Sequence, residues 1–517
     1  MSVLVADAAG ARAADDSAIA AGIPARALMQ RAGAAAAAEI TRRFPDDVAA
    51  GVVVATGAGN NGGDGWVVAA ALHAVGIPAR VVECLPAGTP DARAERETAL
   101  ATGVSRDTGI EALLRGGVRI TVDAIVGTGF RASRPLDGVA AKAVAALVAR
   151  QRAHRSRIVA LDVPSGMDAS SGTDATGLRC ALTLTFGTFK HGHLVSRANC
   201  GDIVVLDIGL GAHASVAGAA RVATPAWFRA SLPTIAADAH KGTRGKVAIV
   251  GGAAGMAGAV ILAARAALRS GAGLVKCVVS AESLRAVQEA EPAALAASWP
   301  EDASALRTEI GDWADAVLVG PGLGKAARDL VERVLRGFGG PVVLDADALN
   351  AFSGAAAALA PLLAGREALL TPHPAEFARL VGLTVEDVLD GRFTLPARLA
   401  AEAGAATLLK GVPTVVAAVS GETMVVAEGT PVLATGGAGD VLGGIAVALL
   451  AGTGEAALSG ALAAYAHGKA AWLVSARDVR GYTLDDVLLA LPVVWSLPAA
   501  SPRPPVLAEL PSVGERA

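Results

Sequence analysis

The chain has 517 residues, several times the roughly 100 to 200 residues of a typical domain, so we expect at least two hydrophobic cores. Its 45 basic and 48 acidic residues give a net charge of −3, which provides no electrostatic surface for nucleic acid or for an anionic membrane. Small molecules are therefore the expected partners. The four cysteines show no metal-ligand spacing, and no apolar stretch is long enough for a membrane span, so we expect a cytoplasmic protein.

Short apolar runs alternate with longer alanine-rich stretches along the whole chain. In the N-terminal part the predicted strands are GVVVATG, ARVVECL, VRITVDAIVG and SRIVALDVPSG. In the C-terminal part they are GKVAIVGG, GLVKCVVS, DAVLVGPG, PVVLDADAL, EALLTPH and ATLLKG. Continuous apolar runs are typical of parallel strands that helices cover on both faces. The sequence therefore predicts two α/β domains.

The boundary between these domains is predicted near residues 210 to 240, where the periodicity is lost and small, turn-forming residues accumulate. We predict one domain over residues 1–222 and another over residues 235–495. The last segment, residues 496–517, is rich in proline and has few residues that could pack, so we predict a mobile tail there.

A polar cluster follows the first of these strands, where Asn60, Asn61, Gly62, Gly63 and Asp64 precede an apolar helical run. Glycines let the backbone turn tightly and approach a ligand, and the amides of a helix N-terminus can bind phosphate oxygens. The structural alternatives are turn chemistry for the two asparagines and a helix N-cap for the aspartate.

Two more strands of this half end in an acid. Asp123 precedes the turn at Gly127, and Asp162 precedes a Pro-Ser-Gly turn. Because ligands bind at the carboxyl ends of strands in an open parallel sheet, we expect these residues to line one crevice. Asp162 is the candidate acid/base, with a pKa raised by apolar surroundings; its alternative role is to brace the turn that follows it.

A glycine-rich loop precedes another apolar helical run in PVLATGGAGDVLGGIAVALLAG. Gly436, Gly437 and Gly439 can form an anion-binding nest at a helix N-terminus, which suits the charge that develops on a transferring phosphoryl group. Asp440 is then placed to take a proton from an attacking hydroxyl group. His373, which lies between two prolines, is a further binding candidate.

The motifs LMQRAG, GAGNNGGDGWV, VDAIVGTG, LDVPSGMD and TFGTFKHG, in this order, resemble the N-terminal epimerase domain of the NAD(P)H-hydrate repair enzymes. The resemblance implies a Rossmann-like α/β sandwich that interconverts the R and S epimers of hydrated NADH or NADPH at C6 of the nicotinamide ring. It implies a potassium ion bound by Asn61, Asp123 and Ser165. The implied substrate-binding residues are Asn60, Asn61, Gly62, Gly63, Asp64, Gly127, Thr128, Gly129, Phe130, Arg131, Ala132, Ser133, Asp162 and Lys190.

The motifs HKGTRGKVAIVGGAAGMAGA, LVGPGLG, VLDADALN, LLTPHPAEFARL and LLKG, with the GxGD loop, are similar to the C-terminal dehydratase domain of the same enzymes. That domain is ribokinase-like. The resemblance implies that ADP phosphorylates the C6 hydroxyl and that phosphate is then eliminated, which yields NADH or NADPH, AMP and phosphate. The implied substrate-binding residues are Ala259, Gly322, His373 and Asp440, and the implied nucleotide-binding residues are Lys410, Gly411, Val412, Pro413, Thr414 and Gly439.

Magnesium is expected to accompany the polyphosphate, with Asp345 or Asp347 as a nearby acid unless one of them caps the next helix. The expected partners are the small molecules NADHX, NADPHX and ADP, without nucleic acid or membrane, and the resemblance suggests a homo-oligomer.

Two other functions remain open at this stage. The GxGD motif is shared by ribokinase-like kinases, so a kinase for a vitamin precursor is the alternative enzyme; the TPHPAEF motif and the N-terminal domain have no evident purpose in it. The alternative that is not enzymatic is a nucleotide-binding sensor or scaffold. The presence of Asp123, Asp162, Lys190 and Asp440 together argues against it, because a binding protein needs no acid placed to move protons.

Overall fold

A computed structural model describes residues 3–211, 213, 220–324, 327–475, 479–499 and 502–513. The chain divides into two compact units. The N-terminal unit is Met1–Ala219 together with Ser501–Ala517, and the C-terminal unit is Ala220–Ala500. The structure thus places the boundary between residues 219 and 220. The sequence predicted that the first domain ends at residue 222 and the second begins at residue 235.

In the N-terminal unit the strands up to the boundary are β1 (Val3–Ala6), β2 (Val52–Thr56), β3 (Ala79–Glu83), β4 (Ser105–Thr108), β5 (Ile120–Ala124), β6 (Arg157–Leu161), β7 (Leu182–Phe186), β8 (Phe189–Lys190) and β9 (Asp202–Leu206). The helices are α1 (Ala8–Ala20), α2 (Ala25–Arg43), α3 (Pro45–Val48), α4 (Asn60–Ala74), α5 (Pro90–Ala101), α6 (Gly138–His154), α7 (His191–Val195) and α8 (Arg197–Cys200).

The N-terminal sheet contains parallel strands in the order β9-β7-β6-β5-β2-β3-β4. The order reverses between β2 and β5, because β3 and β4 follow on one side and β6 and β7 on the other. Both faces of the sheet are covered. Val54 of β2 belongs to a core with Trp66, and the preceding residue, Val53, which faces the other side, belongs to a core with Leu147. The reversal brings the carboxyl ends of β2, β5 and β6 together, which is where ligands bind in such sheets.

In the C-terminal unit the strands are β10 (Ala220–Val222), β11 (Lys246–Val250), β12 (Leu274–Val279), β13 (Leu295–Ser298), β14 (Ala316–Val319), β15 (Val342–Leu344), β16 (Ala368–Leu370), β17 (Ala406–Leu409), β18 (Thr414–Ala417) and β19 (Thr423–Val426). The helices are α9 (Pro225–Ser231), α10 (Ala257–Arg269), α11 (Leu284–Ala290), α12 (Ala303–Leu306), α13 (Ala327–Gly337), α14 (Asp347–Asn350), α15 (Ala360–Leu363), α16 (Pro374–Val381), α17 (Val385–Asp390), α18 (Leu395–Ala403), α19 (Ala438–Thr453), α20 (Ala456–Val474) and α21 (Leu484–Ser496).

The C-terminal sheet has the order β13-β12-β11-β14-β15-β16-β17-β18-β19-β10. Its strands are parallel except at β17-β18 and β18-β19, which are antiparallel pairs that the sequence analysis did not predict. The order again reverses, here between β11 and β14. Alternate residues of β11 enter different cores, with Val247 and Ile249 in one and Ala248 and Val250 in the other. The prediction of two α/β domains with helix-covered sheets is confirmed.

The C-terminal segment forms one more strand, β20 (Val506–Leu510), which pairs antiparallel with β9 and extends the N-terminal sheet. Ala508 and Leu510 are buried, and Glu509 lies 2.6 Å from the guanidinium group of Arg43. The prediction of a mobile tail is therefore wrong for these residues, because the partner strand lies about 300 residues away along the chain, beyond the reach of a local pattern. In the part of the chain that the structure describes, none of the helices combines the length and hydrophobicity of a membrane span.

We expect a chain that ends at Ala499 to unfold at a lower temperature in its N-terminal unit, because β9 would lose its antiparallel partner and the buried Ala508 and Leu510. Thermal unfolding followed by circular dichroism measures the effect. The full-length Glu509→Gln variant is the control, since it removes only a partly exposed ion pair worth roughly 0–1 kcal/mol. Equal midpoints for the shortened and full-length chains would contradict a stabilising role for β20.

Candidate functional sites

The carboxyl ends of β2 and β5 approach so closely that only glycine fits between them. A Cβ atom on Gly57 would lie 1.9 Å from the carbonyl oxygen of Ile125, and one on Gly62 would lie 2.0 Å from the carbonyl oxygen of Gly57. These distances are far inside van der Waals contact. The glycines therefore let the polar stretch lie directly against the neighbouring strand end.

The Asn-Asn-Gly-Gly-Asp stretch is the beginning of a helix. Helix α4 starts at Asn60 with Gly59 as its N-cap, and Asp64 lies farther inside the helix, so the N-cap alternative for Asp64 is wrong. Both polar atoms of the Asn61 side chain are buried without a hydrogen-bond partner among the described residues. Buried amides are normally paired, so Asn61 is suited to an additional ligand.

Asp123 at the end of β5 and Ser165 after β6 form a hydrogen-bonded pair. The Ser165 Oγ donates to Asp123 Oδ1 at 2.6 Å, and the Ser165 backbone N–H donates to Oδ2 at 2.8 Å. Burial raises the pKa of Asp123, although the Ser165 bonds oppose this rise. Asn61 is close by, because a Cβ on Gly127 would lie 3.2 Å from its Cγ. Amide, carboxylate and hydroxyl oxygens thus occur in one small region.

Asp162 follows β6 with a φ of 62°, a left-handed conformation that is uncommon outside glycine. Lys190 Nζ donates to its Oδ1 at 2.6 Å, and the Thr185 hydroxyl donates to the same oxygen at 3.1 Å. His193 Nδ1 accepts the Lys190 backbone N–H at 3.1 Å, so the ring carries its proton on Nε2, which donates to the Asp162 carbonyl at 2.8 Å. These bonds stabilise the strained residue.

The ionisation of Asp162 differs from the expectation. Burial is the largest influence and acts to raise the pKa of this carboxyl group, but the Lys190 ammonium, together with His193 and the Thr185 hydrogen bond, lowers the pKa below its ordinary value. Asp64 behaves in the opposite way, because burial and then the Asp162 carboxylate raise its pKa well above 3.8. The expectation of a raised pKa at Asp162 is wrong, and the pKa values of the two acids are shifted in opposite directions.

The segment that contains the predicted substrate-binding residues Gly127 to Ser133 is irregular. Asp168 holds it, because its Oδ2 accepts the Ala132 backbone N–H at 2.8 Å. The same side chain accepts the backbone N–H groups of Ser170 and Ser171 through Oδ1. The sequence analysis missed Asp168, although it ends the quoted LDVPSGMD motif.

Two backbone segments also approach closely in the C-terminal unit, where the strand order reverses between β11 and β14. A Cβ on Gly251, after β11, would lie 2.0 Å from the carbonyl oxygen of Pro321, after β14. Gly322 has a φ of 59°, and a Cβ there would lie 3.4 Å from Cβ of Ala259. The predicted substrate-binding residues Gly322 and Ala259 are therefore neighbours at the strand ends.

Lys410 forms a buried ion pair at the next strand ends. Its Nζ donates to Asp345 Oδ1 at 2.7 Å and lies 3.8 Å from Glu376 Oε2. Burial opposes the charge on Lys410, but Asp345 and Glu376 outweigh burial and raise the pKa of the ammonium group. A Cβ on Gly439 would lie 3.3 Å from Nζ, so the glycine-rich loop covers this pair. Among the predicted nucleotide-binding residues, Lys410 and Gly439 are thus brought together.

Neither acid of the VLDADALN motif caps the helix that follows. The N-cap of α14 is Ala346, which has a φ of 49° and no side-chain capping bond. Asp345 pairs with Lys410, and Asp347 Oδ2 instead accepts the Gly324 backbone N–H at 2.8 Å. Because Ala346, between the two acids, has a positive φ, the two side chains can bind different groups.

Asp440 lies in the first turn of α19. Burial and then the Asp345 carboxylate raise its pKa to about 7, while Lys410 opposes the rise. His373 is the N-cap of α16, and its Nδ1 accepts the backbone N–H groups of Ala375 and Glu376. The proton of its neutral ring is therefore on Nε2. The pKa of Asp440 therefore lies near neutral pH, where a general base is most effective. His373 can donate a hydrogen bond from Nε2.

The rest of the predicted nucleotide segment joins β17 to β18. Gly411 and Val412 are exposed, Pro413 is buried and Thr414 opens β18. In the residues with described positions, no group of three histidine, cysteine, aspartate or glutamate side chains is arranged to hold a metal ion. Asp345, one of the two acids expected near magnesium, is already engaged by Lys410.

The fold and the sites define a class of enzyme with two α/β units. In each unit, acids and a buried lysine lie near the strand ends where the strand order reverses. The sequence matches the family model described as YjeF-related protein N-terminus over residues 25–192 and the one described as NAD(P)H-hydrate dehydratase over residues 247–492.

A Moorella thermoacetica protein named bifunctional NAD(P)H-hydrate repair enzyme is 36% identical to this chain over 91% of it and 92% of the relative. An Escherichia coli protein of the same name is 34% identical over 90% of this chain and 88% of the relative. A crystal structure of an ADP/ATP-dependent NAD(P)H-hydrate dehydratase from Bacillus subtilis, co-crystallised with ATP/Mg2+, is 29% identical, covers 53% of this chain and 96% of its own, and has a TM-score of 0.47.

The chain belongs to the family of bifunctional NAD(P)H-hydrate repair enzymes. The resemblance seen in the motifs is confirmed for both halves. The vitamin-kinase and binding-protein alternatives are not supported, because the relatives extend over both units and bear an enzyme's name.

The close approach at Gly57 gives a test of the N-terminal site. We expect Gly57→Ala to lower the free energy of unfolding by about 1–3 kcal/mol, as overpacking does, because its methyl group would collide with the Ile125 carbonyl. Gly59→Ala in the same loop meets no atom within 4 Å and is the matched control. Denaturant unfolding of both variants measures the difference, and equal stabilities would contradict the described packing.

Proposed function

We propose that this chain converts R-NAD(P)HX to S-NAD(P)HX in its N-terminal unit and dehydrates S-NAD(P)HX with ADP in its C-terminal unit. The family assignment supports the two activities. The observation that carries the proposal is a pair of acids whose pKa values are shifted in opposite directions. Lys190 holds Asp162 ionised, and the pKa of Asp440 is raised to about 7. Each unit therefore has a base placed at its strand ends.

In the epimerase site we propose that Asp162 is the base and that Asp64, whose pKa is raised by burial, donates a hydrogen bond to the substrate. Epimerisation at C6 of the hydrated ring moves a proton onto or off an oxygen at that carbon, which a positioned carboxylate can do. Lys190 then acts on Asp162 rather than on the substrate, because its ammonium already donates to Asp162 and to Thr185.

We further propose that potassium binds at Asn61, Asp123 and Ser165. The unpartnered buried amide of Asn61 and the Asp123–Ser165 pair supply the oxygen donors that an alkali cation needs. The bound charge would offset the buried Asp123 carboxylate and draw together the loops that follow β2, β5 and β6. The segments after these strands contain the other predicted substrate-binding residues of this unit except Lys190, which lies in β8.

In the dehydratase site we propose that Asp440 takes the proton of the C6 hydroxyl as its oxygen attacks the terminal phosphoryl group of ADP, which releases AMP. The ring nitrogen then expels phosphate from C6, and loss of a proton from C5 restores NAD(P)H. Gly439 and Lys410 are proposed to face the nucleotide phosphates, and Ala259, Gly322 and His373 the hydrated ring. Magnesium would enter with the nucleotide and neutralise phosphate charge.

The direct test is absorbance near 340 nm with mixed-epimer NADHX, potassium and magnesium, and ADP, ATP or neither. We expect full recovery of NADH with ADP. Asp162→Asn should stop recovery at the S fraction apart from slow spontaneous epimerisation, whereas Asp440→Asn should abolish recovery, because each change removes one base. Omission of potassium should slow only conversion of the R fraction. Wild-type recovery that stops at the S fraction would refute the epimerase, and none with either nucleotide would refute the dehydratase.

The pKa of Asp440 gives a prediction for pH dependence. Since the base must be ionised, kcat/KM for S-NADHX should rise with pH up to about 7 and level off above it. Asp345→Asn removes the carboxylate that contributes most to the raised pKa after burial, so this limb should move to lower pH. Steady-state rates between pH 5 and 9 measure it. A profile that does not move, from a variant with wild-type thermal stability, would exclude this electrostatic coupling.

A further inference from the structure

Residues 127–134, called the β5 loop below, form the irregular segment that follows β5 at the switch point. The loop begins against a predicted potassium ligand, because a Cβ on Gly127 would lie 3.2 Å from Cγ of Asn61. Directly before the loop, the Val126 backbone N–H donates to Ser165 Oγ at 2.9 Å. Since residues 127–133 are predicted to bind the substrate, the conformation of this loop should determine substrate affinity.

The β5 loop has one polar attachment to the rest of its unit. Asp168 Oδ2 accepts the Ala132 backbone N–H at 2.8 Å. Other hydrogen bonds of the loop are internal, such as the one from the Arg134 N–H to the Arg131 carbonyl at 2.9 Å. Across the ranges that the structure describes, no second hydrogen bond joins residues 127–134 to another segment.

Asp168 is itself held rigidly beside the proposed base. A Cβ on Gly192 would lie 2.4 Å from the Asp168 carbonyl oxygen, and the Gly192 N–H donates to the Ala169 carbonyl at 2.8 Å. Gly192 belongs to α7, two residues after Lys190, which pairs with Asp162. The backbone that carries Asp168 is therefore fixed to the segment that carries the lysine of the site.

The two carboxylate oxygens of Asp168 have different tasks. Oδ1 accepts the N–H groups of Ser170 and Ser171, which satisfies the local turn, and Oδ2 remains for the β5 loop. Burial acts to raise the pKa of Asp168, but the backbone N–H donors, with Ala132 first, and the charge of Arg131 lower it below its ordinary value. Asp168 is thus a carboxylate, and hydrogen bonds to charged acceptors are the strong ones.

We propose that Asp168 is a positioning residue of the epimerase, which holds the β5 loop in the conformation that binds the hydrated dinucleotide. This inference rests on the proposed epimerase function. Asp168 acts through the Ala132 backbone and leaves the pair of Asp162 and Lys190 to the reacting ring. Without the bond, the substrate would have to order the loop when it binds, and this ordering would weaken its affinity.

The test removes this hydrogen bond from either side. Asp168→Asn replaces one of the two acceptor oxygens by a donor and leaves the other for the local turn. Ala132→Pro removes the N–H donor and leaves Asp168 unchanged. Proline is suited to this position, because the bond between Arg134 and Arg131 makes Ala132 the second residue of a β-turn.

Asp174→Asn is the matched control. Asp174 lies in the same segment as Asp168 and also accepts backbone N–H groups, but its donors are Thr176 and Gly177, which lie outside the β5 loop. Conversion of R-NADHX to S-NADHX is followed by chromatography that separates the epimers, without a nucleotide so that no dehydration occurs. Dehydration of S-NADHX with ADP, measured separately, is the internal control for each full-length variant.

We expect Asp168→Asn and Ala132→Pro each to raise the KM for R-NADHX by about 10–100-fold, the range for loss of a hydrogen bond to a charged group. The kcat should change far less, because the loop contributes binding rather than proton transfer. The double variant should be no weaker than either single variant, since both changes remove the same bond. Asp174→Asn should keep the wild-type KM, and the dehydration rate should be unchanged in all variants.

Limited trypsin digestion gives a readout that is independent of activity. Trypsin can cut after Arg131, at the peptide nitrogen that Asp168 holds, when the loop opens. We expect mass spectrometry to detect this cut earlier in Asp168→Asn than in the wild type or in Asp174→Asn. An unchanged KM in either loop variant, additive effects in the double variant, or an unchanged rate of this cut would overturn the inference. A wild-type protein that leaves R-NADHX unconverted would instead refute the epimerase function.

Discussion

Both sites depend on one steric constraint, the contact of two backbones where the strand order reverses. In the N-terminal unit a Cβ on Gly57 would lie 1.9 Å from the carbonyl of the adjacent strand end, and in the C-terminal unit one on Gly251 would lie 2.0 Å from its neighbour. Without side chains between them, the loops at the switch point pack directly on each other. The candidate side chains that follow these strands lie at the switch point, where ligands bind in open parallel sheets.

A buried lysine organises the acids in each unit, with different consequences. Lys190 pairs with Asp162, the proposed base itself, and keeps it ionised. Lys410 pairs with Asp345, a neighbour of the proposed base, and Asp440 is left with a raised pKa. The first arrangement gives a carboxylate over a wide pH range, and the second gives a base that titrates near neutrality. Burial acts to raise the pKa of both proposed bases, and the directly paired lysine offsets that rise only at Asp162.

Much of the architecture was predictable from local sequence. The apolar runs marked ten strands correctly, namely β2, β3, β5, β6, β11, β12, β14, β15, β16 and β17, because strands covered on both faces are apolar at successive positions. Other parallel strands, among them β4, β7, β9 and β13, were not predicted. The antiparallel pairs of β18, and β20 beside β9, were not predicted. Their pairing depends on partners that hairpin geometry or distant chain segments supply, and β20 is short and flanked by prolines that favoured a tail.

The sequence by itself determined the family and the two α/β units and indicated the candidate site residues, because glycine and acid motifs at strand ends are local and chemically specific. The ionisation of those acids was decided only by the tertiary structure. The pKa of Asp162 is lowered by Lys190 against the effect of burial, and the pKa of Asp440 is raised by burial and by Asp345. A pKa depends on burial and on charges a few ångströms away in space, and distance along the chain does not reveal either.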